Sequence, residues 1–137
     1  MKPALRVFPA FCALLLSACA TPVYQPVSSA PQARLRFIKL DYPTACQAGK
    51  SYALRPDASG SVRVTAGQPM HLSMIFSQDT GHCFPAVKFT PQTGKMYTIM
   101  SEASAEHCVL TVMLQDTSAQ YGARVEPSAV PALSRCR

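Results

Sequence analysis

Apolar and polar residues alternate along most of the chain after residue 33, and this period of two is typical of half-buried β-strands. In the clearest case, within residues 70–77, four apolar residues share one face: Met70, Leu72, Met74 and Phe76. The same alternation recurs within residues 107–115, where one face carries Cys108, Leu110, Val112 and Leu114. No stretch shows the apolar stripe of an amphipathic helix. The pattern therefore predicts an all-β domain.

Further strands are predicted where shorter alternating runs lie between turn-forming residues, at 33–40, 51–54, 62–66, 82–90, 95–101 and 121–126. Residues 42–49 are expected to form a loop, and residues 91–94 a hairpin turn that pairs the strands on either side. About seven short strands at regular turn spacing predict an antiparallel β-sandwich, immunoglobulin-like or transthyretin-like. A closed barrel is the alternative, because both folds have a period of two.

The first nineteen residues have a different pattern. Lys2 and Arg6 precede an apolar run at residues 7–16, and small residues then lead to Cys19. This run is too short to cross a bilayer, which takes about 20 apolar residues. A charged start, a short apolar core and small residues at a cleavage site are the layout of a secretory signal peptide.

The motif Leu16-Ser17-Ala18-Cys19 resembles the lipobox of bacterial lipoproteins. The resemblance implies cleavage before Cys19, a thioether-linked diacylglyceryl group on its sulfur, and acylation of its new amine, for example with palmitate. The lipid on Cys19 would then be the contact with the membrane. The next residue is Ala20 rather than the aspartate associated with inner-membrane retention, so the resemblance implies the periplasmic face of the outer membrane.

The sequence thus divides into a lipoprotein signal peptide (1–18), a flexible lipid-anchored tether (19–32) and a β-sandwich domain (33–137). The tether is inferred from three prolines and two serines with no apolar period. Loss of Lys2 and Arg6 with the signal peptide reduces the 13 basic residues to 11, against 7 acidic ones, and the net charge from +6 to +4. The basic residues are scattered, so nothing indicates a nucleic-acid partner.

Four cysteines remain for pairing once Cys12 is removed and Cys19 is lipidated: Cys46, Cys83, Cys108 and Cys136. In an exported chain an even set of cysteines indicates disulfides. We favour Cys83–Cys108, because both lie at predicted strand starts around one turn, and therefore Cys46–Cys136. Four cysteines permit three connectivities, and the other two stay open.

Candidate chemistry is sparse. The dipeptides His82-Cys83 and His107-Cys108 lack the two-to-five-residue spacing of zinc ligands, so no metal site and no cofactor are expected. The methionines are interpreted as core filler rather than a copper site. The nucleophile motif Gly-x-Ser-x-Gly is absent, and Asp79 near His82 is interpreted as a turn residue. No catalytic residues are assigned, and the sequence predicts a protein that is not an enzyme.

The segment from Cys83 to Tyr97, with Cys108 to Val112 and the opening at residues 33–36, resembles a group of small uncharacterised lipoproteins of Gram-negative bacteria. That resemblance concerns turn, core and disulfide positions, and it implies fold and location only. We expect a monomeric envelope accessory protein that docks on a protein partner through an exposed strand or loop. The alternatives are a module that binds a small ligand or metal, and an assembly lipoprotein of a secretion machine such as the type VI system.

Overall fold

The computed structural model describes residues 20–38, 40, 43–78, 81–104, 107–133 and 136. The predicted signal peptide, Cys19 and Asp79 lie outside the described residues. In the part of the chain that is described, no helix is long and apolar enough to span a membrane.

Twelve strands are found in the described residues. They are β1 (Gln32–Ile38), β2 (Thr44–Gln47), β3 (Lys50–Ala53), β4 (Ser61–Thr65), β5 (Met70–Ser73), β6 (Phe76–Gln78), β7 (Gly81–Cys83), β8 (Ala86–Phe89), β9 (Met96–Ala103), β10 (Cys108–Gln115), β11 (Ala123–Val125) and β12 (Val130–Pro131). The first sheet has the order β11-β10-β9-β1-β4 and the second β12-β8-β5-β2-β3, while β6 and β7 form a separate hairpin. The all-β sandwich prediction is confirmed.

Alternation places the core between the two sheets, as the sequence predicts. The first sheet contributes Leu35, Val64, Tyr97 and Ile99, and the second contributes Leu72, Val87 and Phe89. The rings of Phe89 and Tyr97 meet edge to face, with centroids 5.3 Å apart. Such aromatic pairs add about 0.5–1.5 kcal/mol beyond the area that they bury.

The strand count and pairing differ from the prediction of about seven antiparallel strands. Residues 42–49, predicted as a loop, contain β2, and the two long predicted strands at 70–77 and 82–90 are each divided in two. The division falls at residues 74–75 and 84–85, where the ladder of the second sheet gives way to the β6–β7 hairpin. In the first sheet β1 pairs in parallel with β9, so this sheet is mixed.

The turn at residues 91–94 is present but does not close a hairpin. Lys95 donates to the carbonyl of Gln92 at 3.2 Å, and Gly94 has the positive φ of 72° that favours glycine. The preceding strand β8 belongs to the second sheet and the following strand β9 to the first. The prediction of a hairpin was therefore wrong. The turn instead carries the chain from one sheet to the other, so Phe89 on β8 and Tyr97 on β9 pack against each other across the core.

Within the described residues 20–32, the structure also differs from the expectation of a flexible tether at 19–32. The Tyr24 side chain is buried in the core and packs edge to face on Tyr52, with ring centroids 6.5 Å apart. Around it, the N–H of Ala53 donates to Pro22 at 2.8 Å, and the N–H of Tyr24 donates to Ala53 at 2.9 Å. Burial of one aromatic ring and these backbone bonds hold the described part of this segment against the domain.

Candidate functional site

One edge of the first sheet is left unpaired by the described chain. The eight-residue strand β10 pairs with β9 from Cys108 to Leu114, but the three-residue strand β11 covers only Met113 to Gln115. The N–H of Ser104 donates to the carbonyl of His107, and the N–H of Glu126 donates to the carbonyl of Val112. These two bonds show which residues of β10 direct their backbone groups toward β9 and which direct them away from it. Since bonded pairs alternate along antiparallel strands, the N–H and C=O groups of Cys108 and Leu110 are directed away from β9, toward the open side.

A groove of about 280 Å³ runs beside this open edge, between β10 and the β8–β12 side of the second sheet. None of its described lining residues carries a charge: Phe84, Pro85, Ala86, Val87, Cys108, Val109, Leu110, Thr111, Val112, Val125, Ala129, Val130, Pro131 and Ala132. Phe84, Val125 and Val130 are each more than half exposed. Pockets for drug-sized molecules usually measure about 300–1,000 Å³, so this groove suits the side chains of an extended segment better.

A disulfide holds one end of the groove. Cys83 is bonded to Cys108, and Phe84 and Pro85 follow it directly. The link ties the first residue of β10 to the chain entering β8, although β7 and β10 are not ladder neighbours. Because the disulfide already restrains this edge of β10, the edge loses little conformational entropy when a ligand binds, and the binding affinity is correspondingly higher.

A hydrogen-bonded chain holds the other end. The N–H of Thr90 donates to the hydroxyl of Ser128 at 3.1 Å, and that hydroxyl donates to Oε1 of Glu126 at 2.8 Å. Glu126 is 1% exposed, and its Oε2 has no hydrogen-bond partner among the described residues. Burial is the main cause that raises the pKa of Tyr97, and the charge of Glu126 raises it further.

The other predicted disulfide is present as well: Cys46 on β2 is bonded to Cys136. The described pairings are thus the ones favoured from the sequence. This bond ties the chain after β12 to the second sheet, on the face that also carries His71 and Lys88. Cys19, the predicted lipidation site, lies outside the described residues.

The histidine-cysteine dipeptides do not converge on a metal site in the described structure. His82 forms a hydrogen bond with the hydroxyl of Ser77 at 3.0 Å, and both cysteines of these dipeptides are oxidised. No group of three or more histidine, cysteine, aspartate or glutamate residues is arranged for a metal in the described ranges. Met70 and Met74 are buried, as expected for core filler.

A larger cavity of about 610 Å³ lies at the end of the sandwich where β2 turns into β3. Its polar lining residues include Gln47, Thr65, Gln68, His71 and Lys88, together with Tyr24 and Cys46. Amide, imidazole and ammonium groups are donors, so this cavity has the chemistry to bind a small anion.

The opposite edge strand, β4, is protected within the described chain. The hydroxyl of Tyr24 accepts a bond from the N–H of Thr65 at 3.3 Å, and Oδ1 of Asp57 accepts one from Ser61 at 3.2 Å. The pKa of Asp57 is lowered, first by the Ser59 hydroxyl and then by the backbone N–H groups of Ser61 and Ser59. Contacts of this kind hinder strand pairing at an edge, and within the described chain no such hydrogen bond occupies the outward backbone groups of Cys108 and Leu110 on β10.

Sequence reasoning missed both the groove and the buried Glu126. The alternation within 107–115 indicates which face of β10 is buried, but gives no information on how far its neighbour extends. The one available signal was the contrast between this long run and the short, proline-limited segment after residue 121. No protein-family model, curated protein or solved structure matches the chain.

Proposed function

We propose that this protein is a lipid-anchored periplasmic module of the outer membrane that binds a protein partner by strand addition and carries out no catalysis. The observation that supports it most is the open edge of β10 at Cys108 and Leu110, which lies beside a groove whose described lining carries no charge. Unpaired backbone groups supply affinity for an extended peptide, and apolar recesses beside them select its side chains.

The chemistry of the lining defines the partner. Because the described residues along the groove carry no charge, the best occupant is an extended segment of another envelope protein with apolar side chains at alternate positions. Its backbone would pair with Leu110 and Cys108, and its inward side chains would lie on Val87, Val112 and Ala129.

The test uses a photo-crosslinking amino acid at Val109, beside the edge, in the full chain expressed in a Gram-negative host. Tyr121, on the turn after β10 and 87% exposed, is the control position. We expect a discrete crosslinked species from position 109 and none from position 121. Crosslinking from both positions, or from neither, would contradict strand addition at β10.

A matched pair of substitutions then distinguishes backbone pairing from nonspecific hydrophobic association. Leu110→Pro and Leu110→Ala both remove the side chain, but only proline also removes the N–H that is directed to the open side. We expect the crosslink to be lost in Leu110→Pro and retained in Leu110→Ala, with both variants folded by circular dichroism. Equal crosslinking in the two variants would mean that the edge does not pair with a partner.

The lipid anchor needs its own test, because it is implied by the lipobox alone. Metabolic labelling with palmitate should mark the full chain and not the Cys19→Ser variant, and membrane fractionation should place the labelled form in the outer membrane. Absence of label from the unsubstituted chain would contradict the anchor and leave the strand-addition proposal standing.

A second candidate function is a small-ligand module, favoured by the 610 Å³ cavity beside His71 and Lys88. Native mass spectrometry of the protein isolated from its host distinguishes the two. A bound small anion that is lost in Lys88→Ala would favour this second function. An assembly lipoprotein of a secretion machine would be a special case of the first proposal, in which the partner belongs to that machine. The genes that neighbour this one in the genome would test it.

A further inference from the structure

The described chain begins at the domain surface and joins the fold almost at once. Ala20 and Thr21 are exposed, and the next residue, Pro22, accepts the hydrogen bond from Ala53. A chain spans at most about 3.6 Å per residue, so Ala20 and Thr21 provide only about 7 Å of slack. An anchor on Cys19 would therefore hold the domain directly and not through a long tether.

These two residues also mark one end of the sandwich. With the chain leaving β1 and the chain leaving β3, they line a cleft of about 710 Å³. The lining is mostly apolar: Ala20, Thr21, Phe37, Leu40, Pro43, Thr44, Ala53, Leu54, Arg55 and Pro56. Arg55 is its one charged side chain among the described residues, and it is exposed. We name this end of the molecule, with the cleft and the adjacent Ile38, the anchor end.

We propose that the anchor end lies against the phospholipid headgroups in one fixed orientation, an inference that rests on the proposed lipidation of Cys19. The docked segment from Pro22 to Tyr24 transmits the position of the lipid to the whole domain. Apolar side chains at the cleft rim face the interface, and Arg55 lies within reach of lipid phosphates. A tether free over residues 19–32 would instead let the domain rotate.

The opposite end of the sandwich supplies an internal control. On β9, Ile38 pairs with Met100 and Cys108 pairs with Ala103, so β10 begins at the end of the sheet where β1 finishes. The turn that follows β10 carries Tyr121 and therefore lies at the other end. Tyr121 should therefore be the side chain that points away from the bilayer. The chain contains no tryptophan, so a single introduced indole reports on one position.

The experiment uses the full chain, processed and lipidated in a Gram-negative host and then reconstituted into phosphatidylcholine vesicles that carry nitroxide headgroups. Two variants are compared, Ile38→Trp at the anchor end and Tyr121→Trp at the far end. We expect the nitroxide to quench fluorescence at least twofold more strongly in Ile38→Trp. Equal quenching in the two variants would overturn the fixed orientation.

A linker variant tests the cause of the orientation. Insertion of about ten Gly and Ser residues between Ala20 and Thr21 adds roughly 17 Å of flexible reach and leaves Pro22 and Tyr24 docked. The difference in quenching should disappear, while attachment to vesicles persists. A difference that survives the insertion would contradict orientation by the short anchor. Protein that lacks palmitate and fails to float with vesicles would instead contradict the lipid anchor, so the two failures are distinguishable.

Discussion

The phenolic oxygen of Tyr24 accepts a hydrogen bond from the backbone N–H of Thr65 at 3.3 Å, across 41 positions of sequence. The same ring is buried against Tyr52, so one side chain joins the N-terminal segment to both sheets. This contact decides whether residues 20–32 belong to the tether or to the fold.

Removal of the Tyr24 ring should destabilise the domain strongly. We expect Tyr24→Ala to lower the free energy of unfolding by about 3 kcal/mol, as for other buried aromatic truncations. Tyr24→Phe keeps the ring and loses one hydrogen bond, so it should cost about 1 kcal/mol. Urea unfolding followed by circular dichroism measures both, with the exposed Tyr121→Ala as control. If Tyr24→Ala were as stable as that control, the segment would not be part of the core.

The two disulfides should differ in their contribution to stability. In the chain-entropy view, a bond that closes a longer loop restricts the unfolded chain more, which gives about 4.6 kcal/mol for Cys46–Cys136 and about 3.5 kcal/mol for Cys83–Cys108. We expect the Cys46→Ala/Cys136→Ala variant to unfold at lower urea than the Cys83→Ala/Cys108→Ala variant. The reverse order would show that the groove-side bond stabilises the native state by more than loop closure.

Glu126 should contribute to stability through the acceptor oxygen of its side chain. Its Oε1 accepts bonds from the backbone and the hydroxyl of Ser128, at 3.0 and 2.8 Å. Glu126→Ala removes this acceptor inside the protein and should cost about 2 kcal/mol. Glu126→Gln keeps Oε1 and removes a buried charge, so its cost should be less than half of that. Calorimetric melting at pH 7 compares the two, and equal losses would assign the effect to the charge.

Acid should weaken the turns that carry Asp57 and Asp116. The pKa of Asp57 is lowered by the Ser59 hydroxyl, and that of Asp116 by the Ser118 hydroxyl. A carboxyl with a lower pKa in the folded state stabilises the fold above its unfolded pKa of about 3.9, and this contribution is lost as the pH falls through the folded value. Asn substitution at both positions should therefore flatten the stability profile below pH 4, measured by urea midpoints. An unchanged acid limb would contradict the prediction.

The all-β fold and the buried faces could be predicted from the sequence, because both follow from a period of two. The favoured disulfide pairing is confirmed, although the hairpin at residues 91–94 on which it was based is absent. The parallel pairing of β1 with β9 could not be predicted, since alternation identifies the buried face of a strand and not its neighbour. The burial of Tyr24 was missed because one aromatic residue among prolines creates no period. The groove depends on the different lengths of β10 and β11, which only the assembled sheet reveals.

The pairing of Cys46 with Cys136 has a consequence for biogenesis. If the chain is exported across the inner membrane from its N-terminus, as proposed, Cys83 and Cys108 both emerge before the correct partner of Cys46, which lies 90 residues further on. An oxidase that joins cysteines in order of arrival would first produce Cys46–Cys83. Thiol–disulfide exchange must then replace that bond, and such rearrangement takes minutes to hours without a catalyst. We therefore expect the yield of native protein to depend on a periplasmic disulfide isomerase.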